Sequence, residues 1–476
     1  MAVEKVAPHA RHIVILGGGY VGMYTALRLQ RRLRRELRHG EVVVTVVDPQ
    51  SYMTYQPFLP EAAAGNLEPR HVVAPLRRVL KRCRVLNGHV VGISAERHVV
   101  QVRPAGSPAS DDGADDGADD GAHGSAGGGA GGGADGVVEV PFDRLVVALG
   151  SISRTLPIPG LAEQGIGFKT VEEAIYLRNH VLHQLDIAVS NDDPGVRRRA
   201  LTFVFVGGGF AGVEALAELE DMARDACRWY PPVRREDMRW MMVEAADRIL
   251  PEVGPEMGRW TVEALRRRGI EIRLETLLRS AEGGRIVLSD GDAFDAGTLV
   301  WTAGVKPHPL LRETDLPLDE KGRVKATAEL TVEGRPGIYA AGDNARVPDL
   351  SGFGEFTAPN AQHAVRQART LGDNLAADLR GRPLRPYEHA YVGSVAGLGL
   401  HKGVANVYGV KLRGLVAWFM HRTYHLSRMP TINRKFRVTL DWTLALFFRR
   451  EIVSLGELSS PRAQFELATE HRPEDG

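Results

Sequence analysis

The sequence predicts an α/β protein with two nucleotide-binding units and a helical C-terminal region of different character. Three observations predict it. Apolar runs at residues 13–16 and 201–206 each break into Gly-x-Gly-x-x-Gly and then into a helical pattern. Such a strand–glycines–helix signature is the mark of a Rossmann-like unit, and finding it twice implies two dinucleotide sites. From Lys411 onward the chain turns basic and aromatic.

In the first turn, Gly17 permits the tight bend, Gly19 lets backbone approach a pyrophosphate, and Gly22 lets helix pack on strand. A helix is expected over residues 23–37, its N-terminal N–H groups and dipole available to phosphate. Residues 41–47 read as a buried strand ending in Asp48, a carboxylate fit to accept from a ribose or to cap a turn with Pro49. The aromatic loop at residues 52–61 suits either a core or the wall of a flavin. Residues 104–136 are almost purely Gly, Asp and Ala, too polar to offset their ordering entropy. They read as a disordered insertion between strands at 97–103 and 137–141, without the spacing of a calcium loop. The strand at 145–149 ends in Gly150 and returns from the first unit; a helix at 169–186 leads to the second.

The second turn carries Gly207, Gly209 and Gly212, with its helix continuing to about residue 230. Its second strand, 240–243, ends in Glu244, which favours a free 2′-hydroxyl over a 2′-phosphate and so NADH over NADPH; Arg248 nearby argues the other way. A strand ending at Gly304 closes the unit. At residues 337–343 another strand ends in Gly342-Asp343, aiming a carboxylate at a polyol chain. A helix then starts near Ala361, its N-terminus suited to a flavin pyrimidine.

The 476 residues suit two or three domains, and 43% hydrophobic content is ample for their cores. A net charge of +1 gives no global attraction to nucleic acid. Two cysteines, Cys83 and Cys227, sit far apart and in no C-x-x-C pattern, which argues against a disulfide framework and a redox dithiol. No metal cluster is evident. The first eleven residues lack a signal-peptide core, and no run reaches the roughly 18 apolar residues of a spanning helix.

Residues 411–450 hold nine Lys or Arg and one acid, Asp441, interleaved with Trp418, Phe419, Tyr424, Trp442, Phe447 and Phe448. Leu415, Trp418, Phe419 and Leu426 fit one helical face, and Leu440, Leu444, Phe447 and Phe448 another. This describes an amphipathic, interfacial anchor on an anionic membrane surface. The alternatives are helices packed on the body, or a homodimer interface.

With these motifs the chain resembles the two-dinucleotide-binding flavoproteins and, among them, the type II NADH:quinone oxidoreductases. The resemblance implies non-covalent FAD at the first turn and NADH at the second. It divides the chain into an FAD-binding domain (1–160 and 326–400), an inserted NADH-binding domain (161–325) and a membrane-association region (401–476). It implies hydride transfer from NADH to FAD, then two electrons to a quinone, at the cytoplasmic face of the cell membrane and without proton pumping. The family's Ala-Gln-x-Ala-x-Gln motif maps to Ala361, Gln362 and Ala364, with Arg366 in place of the last Gln and Gln367 one step later. Gln362 would donate to a quinone carbonyl and Arg366 steady its charge. The resemblance also brings forward Glu214, as a proton relay, and Lys402; Glu214 equally suits the first turn of its own helix. A soluble acceptor, or a flavin-based redox sensor acting through a partner, is the alternative reading.

Overall fold

A parallel strand that ends in a glycine turn must send a helix back along its own sheet, and the computed structural model shows this twice. It describes residues 9–107, 136–352, 354–389 and 392–454. Most of the Gly/Asp-rich insertion lies outside the described residues. The chain divides into two compact units: Met1–Met53, Ala74–Ile152 and Val305–Tyr391 form one, and Thr54–Val73, Ser153–Gly304 and Val392–Gly476 the other. Residues 305–325, expected in the inserted domain, belong to the first unit, where Val324–Lys325 pairs with Ala345–Arg346. The C-terminal region is part of the second unit rather than a separate body.

The first unit is built on an eight-stranded sheet in the order Thr331–Val332, Arg335–Ala340, Arg144–Val147, Arg11–Leu16, Val42–Asp48, Arg84–Ser94, Val99–Pro104, Val138–Pro141. Its centre is parallel and its flanks antiparallel. The near-continuous apolar runs at 13–16 and 42–47 are explained by burial on both faces. Helix Tyr20–Arg32 packs on helix Ala361–Asp378, so closely that a Cβ on Gly372 would stand 2.6 Å from that of Arg28. The expected helix at 23–37 starts earlier and breaks at buried Leu33, whose φ of −110° and ψ of 31° are not helical; Arg34–Arg38 follows as a separate turn.

The second unit holds a five-stranded parallel sheet in the order Gly165–Ile166, Thr298–Trp301, Thr202–Val206, Arg239–Val243, Ile270–Arg273. On one side Val204, Met241 and Leu299 share a core with Leu278, Ile286 and Leu288 of a small antiparallel sheet. The glycine-turn helix runs Phe210–Ala226 and gives way to a 3-10 turn at Cys227–Trp229, short of residue 230. Helix Val171–Ser190 begins at a capping box between Thr170 and Glu173. Three antiparallel strands, Gly393–Gly397, Gly403–Val407 and Val410–Arg413, carry helix Gly414–Arg428, and helix Ile432–Phe447 follows. Only glycine fits at 403, because a Cβ there would lie 2.6 Å from the Trp418 nitrogen.

Candidate nucleotide sites and a buried carboxylate row

The two glycine turns are built alike. Gly17 (φ +100°) and Gly207 (φ +112°) hold a conformation that side chains rarely adopt, and a Cβ would strike Ala148 or Thr302 backbone at 2.3 or 2.6 Å. At Gly22 and Gly212 a Cβ would fall 1.7 and 2.1 Å from the carbonyl oxygens of Gly17 and Gly207, so these two close helix onto strand. Gly19 and Gly209 differ: a Cβ on either meets nothing within 4 Å. Each is the N-cap of its helix and provides no side chain to bond the first N–H groups. Open space over uncapped N–H groups at a positive dipole end is what a pyrophosphate needs, so both turns fit a dinucleotide.

The strand-end carboxylates close these turns. Asp48 accepts from the N–H of Gly18 at 2.5 Å and of Gln50 at 2.7 Å. Glu244 likewise accepts from Gly208 at 2.5 Å and Ala246 at 2.8 Å. Both therefore cap turns; a ribose would use their remaining lone pairs. Burial pushes the Asp48 carboxyl up, against the pull of its two N–H donors. Arg248, the rival to an NADH reading, is held by Asp247, its Nε donating at 2.9 Å.

Gly150 and Gly342 of the first cradle are held by two amides that sequence reasoning missed. Asn344, fully buried, accepts from the N–H of Gly150 at 2.9 Å and donates to the Val147 carbonyl at 3.0 Å. Gln367 accepts from the N–H of Gly342 at 2.7 Å and donates to Thr357 Oγ1 at 3.1 Å. Asp343 is fixed by Ser151, whose hydroxyl donates at 2.7 Å. Gln367 is thus no displaced copy of the motif's last Gln; it braces the Gly342 turn. Ala361 opens its helix behind Asn360, whose side chain accepts from the His363 N–H at 2.9 Å. An Asn just before a helical run was the signal available for that cap. Arg366 lies one turn from Gln362 and donates to its carbonyl at 3.0 Å. In the second unit Gly304, with φ +92°, accepts from the Arg154 N–H at 3.1 Å.

Helix Phe210–Ala226 buries four carboxylates: Glu214, Glu218, Glu220 and Asp221. Glu214 does not satisfy its own helix's first turn. Its Oε1 accepts from the Gly397 N–H at 2.8 Å and lies 3.1 Å from His421 Nε2. Glu218, raised by burial and by the nearby charge of Glu61, accepts from Asn66 at 3.0 Å. Asp221 accepts from the Leu400 N–H at 2.6 Å and pairs with Arg268 at 3.2 Å. Lys402 sits 3.6 Å from Asp221. Burial, with the charges of Arg268 and Arg224, brings the Lys402 ammonium down to about 8. Glu214 and Asp221 are seven residues apart, about 10 Å along the helix, so Lys402 pairs with Asp221 and not with Glu214.

In the aromatic loop at 52–61, Tyr55 and Phe58 are buried in the core. Phe58 is fully buried against His425 and Trp442, and Tyr55 donates to the His425 carbonyl at 3.0 Å. Glu61 at its end is paired bidentately with Arg422 at 2.8 and 3.2 Å and also accepts from Trp442 Nε1 at 2.8 Å. The Arg422 guanidinium lies over both Trp418 and Trp442, 4.1 and 4.8 Å from the ring centroids. Trp418 is therefore not on the outer face with Leu415 and Phe419. Four of the nine C-terminal basic residues are committed to acids: Arg422 to Glu61, Lys411 and Arg413 to Glu256, and Arg450 to Asp225. Asp441 is 2.6 Å from His71. The outer face remains apolar: Leu415, Val416, Phe419, Ile432, Phe436, Leu440, Leu444, Leu446, Phe447 and Phe448 are all 44–84% exposed. No helix among the described residues is long and apolar enough to cross a membrane. Both cysteines are free, and burial raises both thiols, Cys83 to about 12.

Known proteins are similar to this chain over most of its length. A type II NADH:quinone oxidoreductase of Mycobacterium tuberculosis is 25% identical over 93% of this chain and 89% of its own length. A demethylphylloquinone reductase of Synechocystis is 29% identical over 90% of this chain and 95% of its own. An NDH2 of Plasmodium falciparum, solved with NADH, superposes with a TM-score of 0.80 at 17% identity, covering 93% of this chain and 99% of that one, and so shares the fold. The sequence signature of the pyridine nucleotide-disulphide oxidoreductases matches residues 11–368. The chain belongs to that family.

Proposed function

We propose that the chain is an NADH:quinone oxidoreductase of type II that uses FAD and pumps no protons. The observation that carries this is the pair of open, uncapped glycine turns, one per unit, each braced by a strand-end carboxylate. Gly17, Gly19, Gly22, Asp48, Gly150, Gly342, Asp343 and Ala361 would hold FAD; Gly207, Gly209, Gly212, Glu244 and Gly304 would hold NADH. Bound there, FAD supplies the two-electron carrier between hydride donor and quinone. The named relatives, matched over most of their length, support quinone as the acceptor. With both cysteines free and raised, no dithiol offers another route for electrons among the described residues.

The chain's own groups position and charge. Glu244 repels a 2′-phosphate while Asp247 occupies Arg248, which favours NADH over NADPH. Gln362 and Arg366 are the proposed contacts for the quinone headgroup, through a hydrogen bond and a positive charge. Glu214, buried and held by Gly397, is the proposed proton carrier. The exposed apolar face of the two C-terminal helices would lie in an anionic membrane surface, on the cytoplasmic side where NADH is available. The test is spectroscopic. Purified protein should show a flavin band bleached anaerobically by NADH and restored by a short-chain quinone. Bleaching without restoration would favour another acceptor or a sensor.

A further inference from the structure

Glu214 and His421 face each other inside the second unit, from helices Phe210–Ala226 and Gly414–Arg428. Their side chains are only 9% and 5% exposed, with Glu214 Oε1 3.1 Å from His421 Nε2. The Gly397 N–H fixes that same oxygen at 2.8 Å, so the carboxylate cannot swing away without losing a buried hydrogen bond. Nε2 lies off the line of a formed hydrogen bond and has no other acceptor among the described residues. One turn on, the His425 ring stands edge-on to His421 at 4.6 Å, and beyond it Tyr55 Oη is 3.4 Å from His425 Nδ1. We infer that His421 is the positioning and proton-holding partner of Glu214, so that helix Gly414–Arg428 takes part in proton delivery as well as presenting an apolar face.

This rests on the reading of Glu214 as proton carrier. The surroundings decide where the proton sits. Burial pulls the His421 imidazole down, but the carboxylates of Glu214 and Glu61 outweigh it and the repulsion of Arg422, leaving it above the ordinary range. Burial and the His421 charge push His425 well down, so it stays neutral. Other packed elements change little. Strands Gly393–Gly397 and Gly403–Val407 bring no titratable side chain. Lys411 and Arg413 of the next strand are taken by Glu256, and Asp441 of the last helix by His71. The pair thus stores one exchangeable proton. The Nε2 proton of the His421 imidazolium passes to the Glu214 carboxylate, which yields it toward the reduced acceptor and is left ionised. A neutral imidazole remains, no electron moves in this step, and solvent returns one proton.

The test compares the flavin-loaded full chain with its His421→Gln variant, which keeps a neutral donor beside Glu214 but cannot store a proton. Flavin reduction by NADH should be unchanged. Reoxidation by a short-chain quinone should slow about 100-fold, the low end of what general acid catalysis contributes, and lose its dependence on pH above neutrality. Separately, NMR of histidine ring nitrogens in the unmodified chain should show one histidine titrating above the usual value of about 6.5, and Glu214→Gln should lower it. Unchanged reoxidation and pH profile, or equal losses in both half-reactions, would overturn the inference, as would the absence of any histidine titrating high. An unmodified chain reduced by NADH but reoxidised by no quinone would instead remove the proposed function itself.

Discussion

Replacing Gly209 by Val separates the two cradles cleanly. The backbone there has φ −73° and is extended, a conformation any residue adopts, and a Cβ meets nothing within 4 Å. The folded chain should accept the branched side chain, losing only about 1 kcal/mol as a poorer N-cap. The space it fills is the one a pyrophosphate would enter. Losing two hydrogen bonds from backbone N–H to a charged group costs about 3–6 kcal/mol, at about 1.5–3 kcal/mol each. That corresponds to roughly 10²–10⁴-fold weaker NADH binding. Stopped-flow bleaching of the flavin at increasing NADH reads the change directly, and the absorbance ratio of flavin to protein shows whether FAD is retained. Gly212→Ala is the control, because its Cβ would fall 2.1 Å from the Gly207 oxygen and the variant should lose stability rather than affinity alone. A Gly209→Val enzyme that binds NADH within about threefold of the parent would refute the cradle argument. One that loses its flavin instead would reverse the assignment of the two turns.

Kinetics with both cofactors should favour NADH, and Glu244→Gln should narrow the ratio of kcat/KM values for NADH and NADPH by about tenfold, the effect of one lost charge repulsion; an unchanged ratio would shift selectivity to other residues. Lys402 has its folded pKa lowered to about 8 from 10.5, so between those values the unfolded chain binds more protons and stability rises with pH. The difference in Tm between the parent and Lys402→Met should therefore shrink from pH 8 to 10.5, and a constant difference would contradict the assigned burial. Arg422→Ala strands the Glu61 carboxylate in the core and should cost about 3–5 kcal/mol in urea unfolding, of which Glu61→Gln in the same chain should recover part. Serine at Phe419, Phe436 and Phe447, all well exposed, should leave Tm nearly unchanged but release the protein from anionic vesicles; retained vesicle binding, or a dimer that dissociates instead, would mark the face as a protein interface.

What could be read from the sequence was what chemistry states locally. A glycine turn between a buried strand and a helix is written in a short run of consecutive residues, so both glycine turns and their strand-end carboxylates were legible. Asn344 and Gln367 were not, because each acts on a turn brought near only by the fold, and Gln367 stood beside a motif that invited another explanation. The C-terminal helices show the same limit in charge. Counting nine basic residues suggested a broadly electrostatic anchor, yet Arg422 lies between two tryptophans on Glu61, and Lys411, Arg413 and Arg450 already have acids. A sequence counts charges; it does not show which already have partners. The same helices that expose Phe419 and Phe447 also supply the partners of Glu61 and Glu214, so packing and the proposed membrane contact would use different faces of the same helices. Cutting the chain before Lys411 would remove both at once and expose buried carboxylates. Substitution on the outer face alone is therefore the perturbation that can isolate what that face does.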